Sequence, residues 1–283
     1  MITKTVASAL CALLLLQLPA YSLVFNPVSV QLSGFDIDAV VENNAVAGSD
    51  PNAFTGVSEA LDLTNNVFYQ SGLSGSVNGL PTNGQISATT GGNTFNFQLA
   101  NYGTGTGLTK NALQIAPAET QQTLTFTATA SYQALAFLGF STEAQNSNAI
   151  GSVVVNFTDS SSTTFADVLD FPDWYTGAGT AAVPSLFNSQ GRVQNTTGSY
   201  NQNLVNPLTS SSGGQLFASS ITLSAGDQLK QVQSVTFSMS SSTPSDRTYV
   251  VAVAAVPEPN TVALLALAGA AAFLRRSRVK KRC

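Results

Sequence analysis

"SVVVNFTDSSSTTFADV", residues 152–168, alternates apolar with polar side chains, pauses at a cluster of Thr, Asp and Ser (158–162), then alternates again. A period of two in Val, Phe and Thr marks a strand with one buried face, and Asp and Ser close turns with their own side chains. The stretch predicts a β-hairpin. The same alternation recurs in "TLTFTAT" (123–129), "SSITLS" (219–224), "QSVTFSM" (233–239) and "TYVVAVA" (248–254). Turn signals at 83–84 (Asn-Gly), 91–93 (Gly-Gly-Asn) and 211–214 (Ser-Ser-Gly-Gly) fall between such runs. No amphipathic helix of ten residues or more stands out, and there is no internal repeat. The expectation is an all-β body, an antiparallel β-sandwich of jelly-roll-like type. Residues 170–214 read as a long loop, which more often carries function than serves as a linker.

Composition agrees with a packed domain. Of the 283 residues, 43% are hydrophobic and only 9% charged, with 16 Phe spread along the chain. Disordered chains carry more charge and fewer aromatics. Between residues 23 and 256, four basic side chains (Lys110, Arg192, Lys230, Arg247) face fourteen acidic ones, a balance of −10. Such a surface repels phosphate backbones, which argues against nucleic acid as a partner and leaves neutral polymers and cations. The chain has no His, and its two cysteines, Cys11 and Cys283, lie in the terminal segments. Histidine-dependent triads, histidine metal sites and an intramolecular disulfide within the body are thereby excluded.

Both ends read as targeting segments. Lys4, the apolar "VASALCALLLLQL" (6–18) and small residues at Ala20 and Ser22 form a signal peptide, residues 1–22, with cleavage expected after Ser22. At the other end stand Val256, Pro257, Glu258 and Pro259, then a 14-residue apolar run, Thr261 to Leu274. The basic cluster Arg275, Arg276, Arg278, Lys280, Lys281 and Arg282 follows. As a helix the apolar run covers about 21 Å, short of a hydrocarbon core of roughly 30 Å, so it spans only marginally. The basic cluster stays on the cytoplasmic side and the body faces outward. The two prolines hold 256–259 extended, in the form a protease reads.

These three parts, in this order, resemble the PEP-CTERM sorting signal of exported bacterial proteins. The resemblance implies an exosortase as partner and cleavage near Pro257–Pro259. It also implies transient membrane anchoring through a C-terminal transmembrane helix (261–274), then delivery to the cell surface or an extracellular matrix. The chain accordingly divides into signal peptide (1–22), ectodomain (23–255) and sorting signal (256–283). The body resembles PEP-CTERM proteins with a galactose-binding-like sandwich. The segments that carry this are "LSGFDIDAVVENN" (32–44), "FQLANYGTGTGLTKNALQI" (97–115), "VVVNFTDSSSTTFADVLDFPDWYTG" (153–177), "GRVQNTTG" (191–198), "LFASSITLS" (216–224) and "VQSVTFSMS" (232–240). Carbohydrate binding is what that fold type suggests; no catalytic residues carry over.

Two residue groups are candidate sites. "DFPDWYTG" (170–177) holds Asp170, Asp173, the sole tryptophan Trp174, and Tyr175, with Arg192 further on. An exposed aromatic stacks on a sugar face while carboxylates accept its hydroxyls; the alternative is a Trp that plugs the sandwich edge. Asp36, Asp38 and Glu42 are candidate calcium ligands; alternatively Asp36 and Asp38, two residues apart, are the solvent face of a strand, with Ile37 opposite. "YGTGTGLTK" (102–110) matches no phosphate-binding loop and reads as a plain loop. The expected function is a noncatalytic exported surface or matrix protein that binds polysaccharide or other matrix components, with no required cofactor. The competing reading is a secreted glycan hydrolase that uses paired carboxylates.

Overall fold

A computed structural model describes residues 22–41, 61, 66–73, 78–100, 110–117, 121–143, 149–175, 177–189, 191–196, 199–205, 213–240 and 245–258. The expected hairpin is present. β9 (Ala149–Phe157) and β10 (Ser162–Phe171) pair antiparallel, with Asn156 opposite Ser162. Asp159 closes the turn, its Oδ1 accepting from both the backbone N–H and the hydroxyl of Ser161. Further along β10 the register shifts between Phe165 and Leu169, and Asp167 takes φ +54°. This is a β-bulge at a residue type that tolerates left-handed backbone.

β15 (Val232–Met239) adds to β9, and β7 (Gln122–Ala130) adds to β15, giving a sheet of order β10-β9-β15-β7. A larger sheet is built on β8 (Tyr132–Thr142) and β16 (Arg247–Pro257), paired antiparallel along their whole length. Its order is β11-β14-β8-β16-β1-β5-β4, with β6 (Leu113–Ile115) also on β16. Here β1 is Val24–Val28, β4 Gln85–Thr90, β5 Asn93–Gln98, β11 Ser185–Asn188 and β14 Gln215–Thr222. A third, small sheet joins β2 (Val40–Val41), β3 (Asn66–Tyr69), β12 (Arg192–Thr196) and β13 (Ser199–Val205).

The central strands β8 and β16 are buried nearly throughout, not alternately. Both faces of this sheet are covered, which is the physical reason they read as continuous apolar runs. On one face, Phe137 of β8 meets Phe237 of β15 edge-on, ring centroids 5.5 Å apart. On the other, Phe140 stacks on Tyr249 at 4.7 Å and meets Phe68 of β3 at 5.1 Å. Gly139 makes room for Phe171 of β10. A Cβ there would sit 2.2 Å from the Tyr249 carbonyl oxygen and 2.5 Å from the Phe171 ring, so only glycine lets β10 come so close.

The structure departs from the expected fold in three ways. The all-antiparallel expectation fails at β1, which runs parallel to β5 while antiparallel to β16, and at the β2–β3 pair. Parallel neighbours join segments far apart in sequence, which local patterning does not reveal. The large sheet is covered on two sides and not one. The stretch 170–214 is not simply a loop, since β11, β12 and β13 lie in it. The described residues contain no α-helix, only strands and short 3-10 turns. None of them forms a helix long and apolar enough to cross a membrane; the apolar run 261–274 and the signal segment 1–21 lie outside the described residues.

Candidate functional site

Beyond the end of β10 the chain turns through Pro172–Tyr175 and is pinned to the end of β8. The Ser141 amide donates to the Pro172 carbonyl and the Trp174 amide to the Ser141 carbonyl, at 3.2 and 2.8 Å. The Ser141 hydroxyl donates to the Phe171 carbonyl at 2.7 Å. Asp173 Oδ1 accepts the Tyr175 amide at 2.9 Å, an Asx turn. These bonds aim Trp174 inward. Its ring lies 4.8 Å from Phe68 and 5.7 Å from Phe140, and only 1% of the residue is exposed.

Trp174 is therefore no exposed sugar platform, and that expectation is corrected. A large apolar ring gains more from the core than from water. Arg192, 7% exposed, closes over the outside: its guanidinium carbon lies 3.5 Å from the Tyr175 ring centroid and 5.3 Å from that of Trp174. Tyr175 itself is half-buried. The structure thus brings Trp174, Tyr175 and Arg192 together. Asp170 sits apart: it alternates with the buried Leu169 and Phe171, so its side chain leaves β10 on the opposite face.

The acidic pair at 36 and 38 does not form a solvent face. Asp38 is buried, and its Oδ1 accepts from Asn111 Nδ2 at 2.8 Å and from the Val40 amide at 3.3 Å. Asn111 Oδ1 in turn accepts the Ala39 amide at 2.8 Å. Asp36 Oδ1 accepts the Gln114 amide at 2.8 Å. Both carboxylates thus fasten residues 36–40 to 111–114, because irregular buried backbone needs partners and carboxylates supply them. Glu42, the third candidate calcium ligand, lies outside the described residues, and among those residues no three acids gather into a metal-type cluster.

A third feature was not singled out from the sequence. Much of the outward face of the β10-β9-β15-β7 sheet consists of hydroxyl and amide side chains, interrupted on β9 by Ile150 and Val154. On β7, Thr123, Thr125, Thr127 and Thr129 alternate with the core residues Leu124 and Phe126 and the exposed Ala128. In register across the sheet, Thr123 faces Thr236, then Val154, then Thr164; Thr125 faces Ser234, then Asn156, then Ser162. Neighbours bind one another: Thr123 and Thr236 hydroxyls at 2.9 Å, and Asn156 Nδ2 to Ser234 and Thr236 at 3.1 and 3.0 Å. No charged residue lies in these rows; Asp167 and Asp170 stand on the edge strand β10. The signal was present in "TLTFTATA" (123–130), where every second residue is Thr.

The sorting motif is continuous with the fold. Val256 pairs with Ala134 and Pro257 with Tyr132, so two of its four residues are the last of β16. The Glu258 amide donates to the Ser131 carbonyl at 3.2 Å. Pro257 ends the strand, having no N–H to give to the ladder. Of the motif only Pro259 lies outside the described residues, as do Arg275, Arg276, Arg278, Lys280, Lys281 and Arg282.

No curated protein matches the chain. Residues 255–279 match the family model described as the PEP-CTERM protein-sorting motif, which begins inside β16 and implies an exported protein that an exosortase processes through a membrane-anchored stage for display at the cell surface.

Proposed function

We propose that the body is a noncatalytic surface or matrix module that binds neutral polysaccharide, displayed by the sorting signal. The hydroxyl face of the four-stranded sheet is the observation that supports this. An ordered array of uncharged donors and acceptors suits a polymer of hydroxyls. Adjacent strands repeat at about 4.8 Å and alternate side chains at about 6.8 Å, so successive sugar hydroxyls find partners with little reorganisation of the protein. Neutral polysaccharides carry no charge to be desolvated there, and the body's net negative charge does not oppose them. A jelly-roll sandwich of galactose-binding type, the finer reading of the body, points to the same ligand class only by analogy of fold.

The test is retention of residues 23–258 on a panel of insoluble and soluble polysaccharides, with assay for released reducing sugar. Thr236→Glu places a charge in the middle of the face without touching the core. Severalfold loss of retention in Thr236→Glu, with an unchanged melting midpoint and no sugar released, is the expected result. Retention that survives Thr236→Glu moves the site elsewhere. Release of sugar would favour the hydrolase reading.

A further inference from the structure

The sheets have two unlike ends. Val256 of β16 and Thr222 of β14 both lie beside Ala134 of β8, and Ala255 lies beside Asn26 of β1. The Glu258 end of the body therefore also carries the start of β1, the Ser131 turn between β7 and β8, and the loop that follows Thr222. Val232 pairs with both Phe157 and Ala130, which brings the β9–β10 turn to the same end. Trp174, Tyr175, Arg192 and the start of β16 lie at the other end, near Ser141.

Four large apolar side chains are exposed among the described residues, and two are at the Glu258 end: Leu229 at 67% and Val24 at 45%. Leu229 ends a 3-10 turn, Asp227–Leu229, in the loop after β14, and is the most exposed of the four. Charge there is low. Lys230 is paired with Asp227 at 2.9 Å, and the other charges there are Asp159 on the next turn, Glu258 at the strand end and, once the signal peptide is cut, the α-amino group of Leu23. Only Pro259 and Asn260 separate Glu258 from the apolar run that begins at Thr261. Three peptide steps reach about 10 Å at most.

We propose that before processing this end of the body rests on the bilayer, with Leu229 and Val24 in the headgroup layer and the strands pointing away from it. The inference rests on the reading of 261–274 as a membrane span. The partner is a zwitterionic lipid surface. The tether is too short for the body to stand off, the exposed apolar residues suit an interfacial layer, and the excess of acid over base disfavours anionic headgroups. The hydroxyl face runs along the strands, so this posture leaves it open at the side. The opposite end stands a full strand length off the membrane, roughly 33 Å for eleven residues.

The chain without its signal peptide, residues 23–283 with Cys283→Ser, is reconstituted in phosphatidylcholine nanodiscs. A single environment-sensitive fluorophore is attached at Leu229→Cys, Thr158→Cys or Ser245→Cys. Thr158 and Ser245 are exposed turn residues at the near and far ends. Headgroup-proximal spin-labelled lipid is expected to quench the probes at 229 and 158 severalfold more than the probe at 245. Equal, weak quenching at all three positions in a chain that resists carbonate extraction would overturn the docking while the span stands. A chain that carbonate extracts would remove the span and the docking with it.

Discussion

The guanidinium carbon of Arg192 lies 3.5 Å from the ring centroid of Tyr175, an aromatic whose neighbour in sequence, Trp174, is sealed in the core. Through this contact Arg192 joins the third sheet to the turn after β10. A lysine keeps the charge but not the plane. Arg192→Lys is expected to cost about 1–2 kcal/mol, read as a lower urea midpoint with an unchanged slope.

Trp174 is the chain's one tryptophan, so intrinsic fluorescence reports this site alone. Native emission should be blue-shifted and resist acrylamide quenching, and both features should vanish on unfolding. Trp174→Ala is expected to cost about 3–5 kcal/mol, a cavity effect. If it abolished polysaccharide retention while the melting midpoint held, Trp174 would be a contact residue after all.

Gly139 and Gly214 are spacers. A Cβ at Gly214 would lie 2.6 Å from Phe68 and 2.9 Å from Trp174. Gly139→Ala meets backbone and ring together and has no flexible neighbour to move. It is expected to destabilise more than Gly214→Ala, each by about 1–3 kcal/mol or more. Equal stability of Gly139→Ala and the parent in urea would refute the close approach of β10 to β8.

Asp227 ties the loop after β14 to the hairpin. Its Oδ2 accepts from Ser224 Oγ at 2.8 Å and Thr163 Oγ1 at 3.0 Å, and its Oδ1 pairs with Lys230. The Lys230 hydrogen bond first, then that of Ser224, holds its carboxyl below the usual aspartate range, against a smaller opposing effect of burial. A carboxyl depressed by folding adds stability above its unfolded pKa of about 3.9, and that stability disappears as pH falls through the folded value. Acid titration of the urea midpoint should lose slope below about pH 4 in Asp227→Asn. Lys230 is raised by the same bond, so its share is lost only at strongly alkaline pH.

The carboxylates of Asp36 and Asp38 are bound to backbone and to Asn111. Asn111→Ala is expected to cost about 1–3 kcal/mol because it removes a side-chain donor from the buried Asp38 carboxylate and the acceptor of the Ala39 amide. Melting should be the same in calcium and in chelator. A calcium-dependent rise would return Asp36, Asp38 and Glu42 to metal ligation.

The strands were legible where one face meets water. β7, β9 and β15 alternate because one of their faces is solvated, and the 152–168 hairpin reads directly from that. β8 and β16 are covered on both sides, so their apolar runs announce burial without announcing layers. The parallel partnership of Val24 with Thr94 joins residues far apart in sequence, and nothing local marks it. At the candidate site, the sequence put Trp174, Tyr175 and Arg192 in one group, but exposure depends on the Ser141 bonds that turn the indole inward. The hydroxyl face went unremarked because alternating Thr looks like any solvated strand until neighbouring strands are placed in register.

The sorting motif begins within the strand at the centre of the large sheet. Any pull on the anchored or attached end, from flow or from a tethered polymer, therefore acts along the axis of β16. That load meets β8 in shear, with the pairs from Tyr132 to Thr142 sharing it, instead of peeling them apart one at a time. A body fastened in this way resists drag at its strongest seam, and its lifetime under tension is set by its unfolding rate more than by its equilibrium stability.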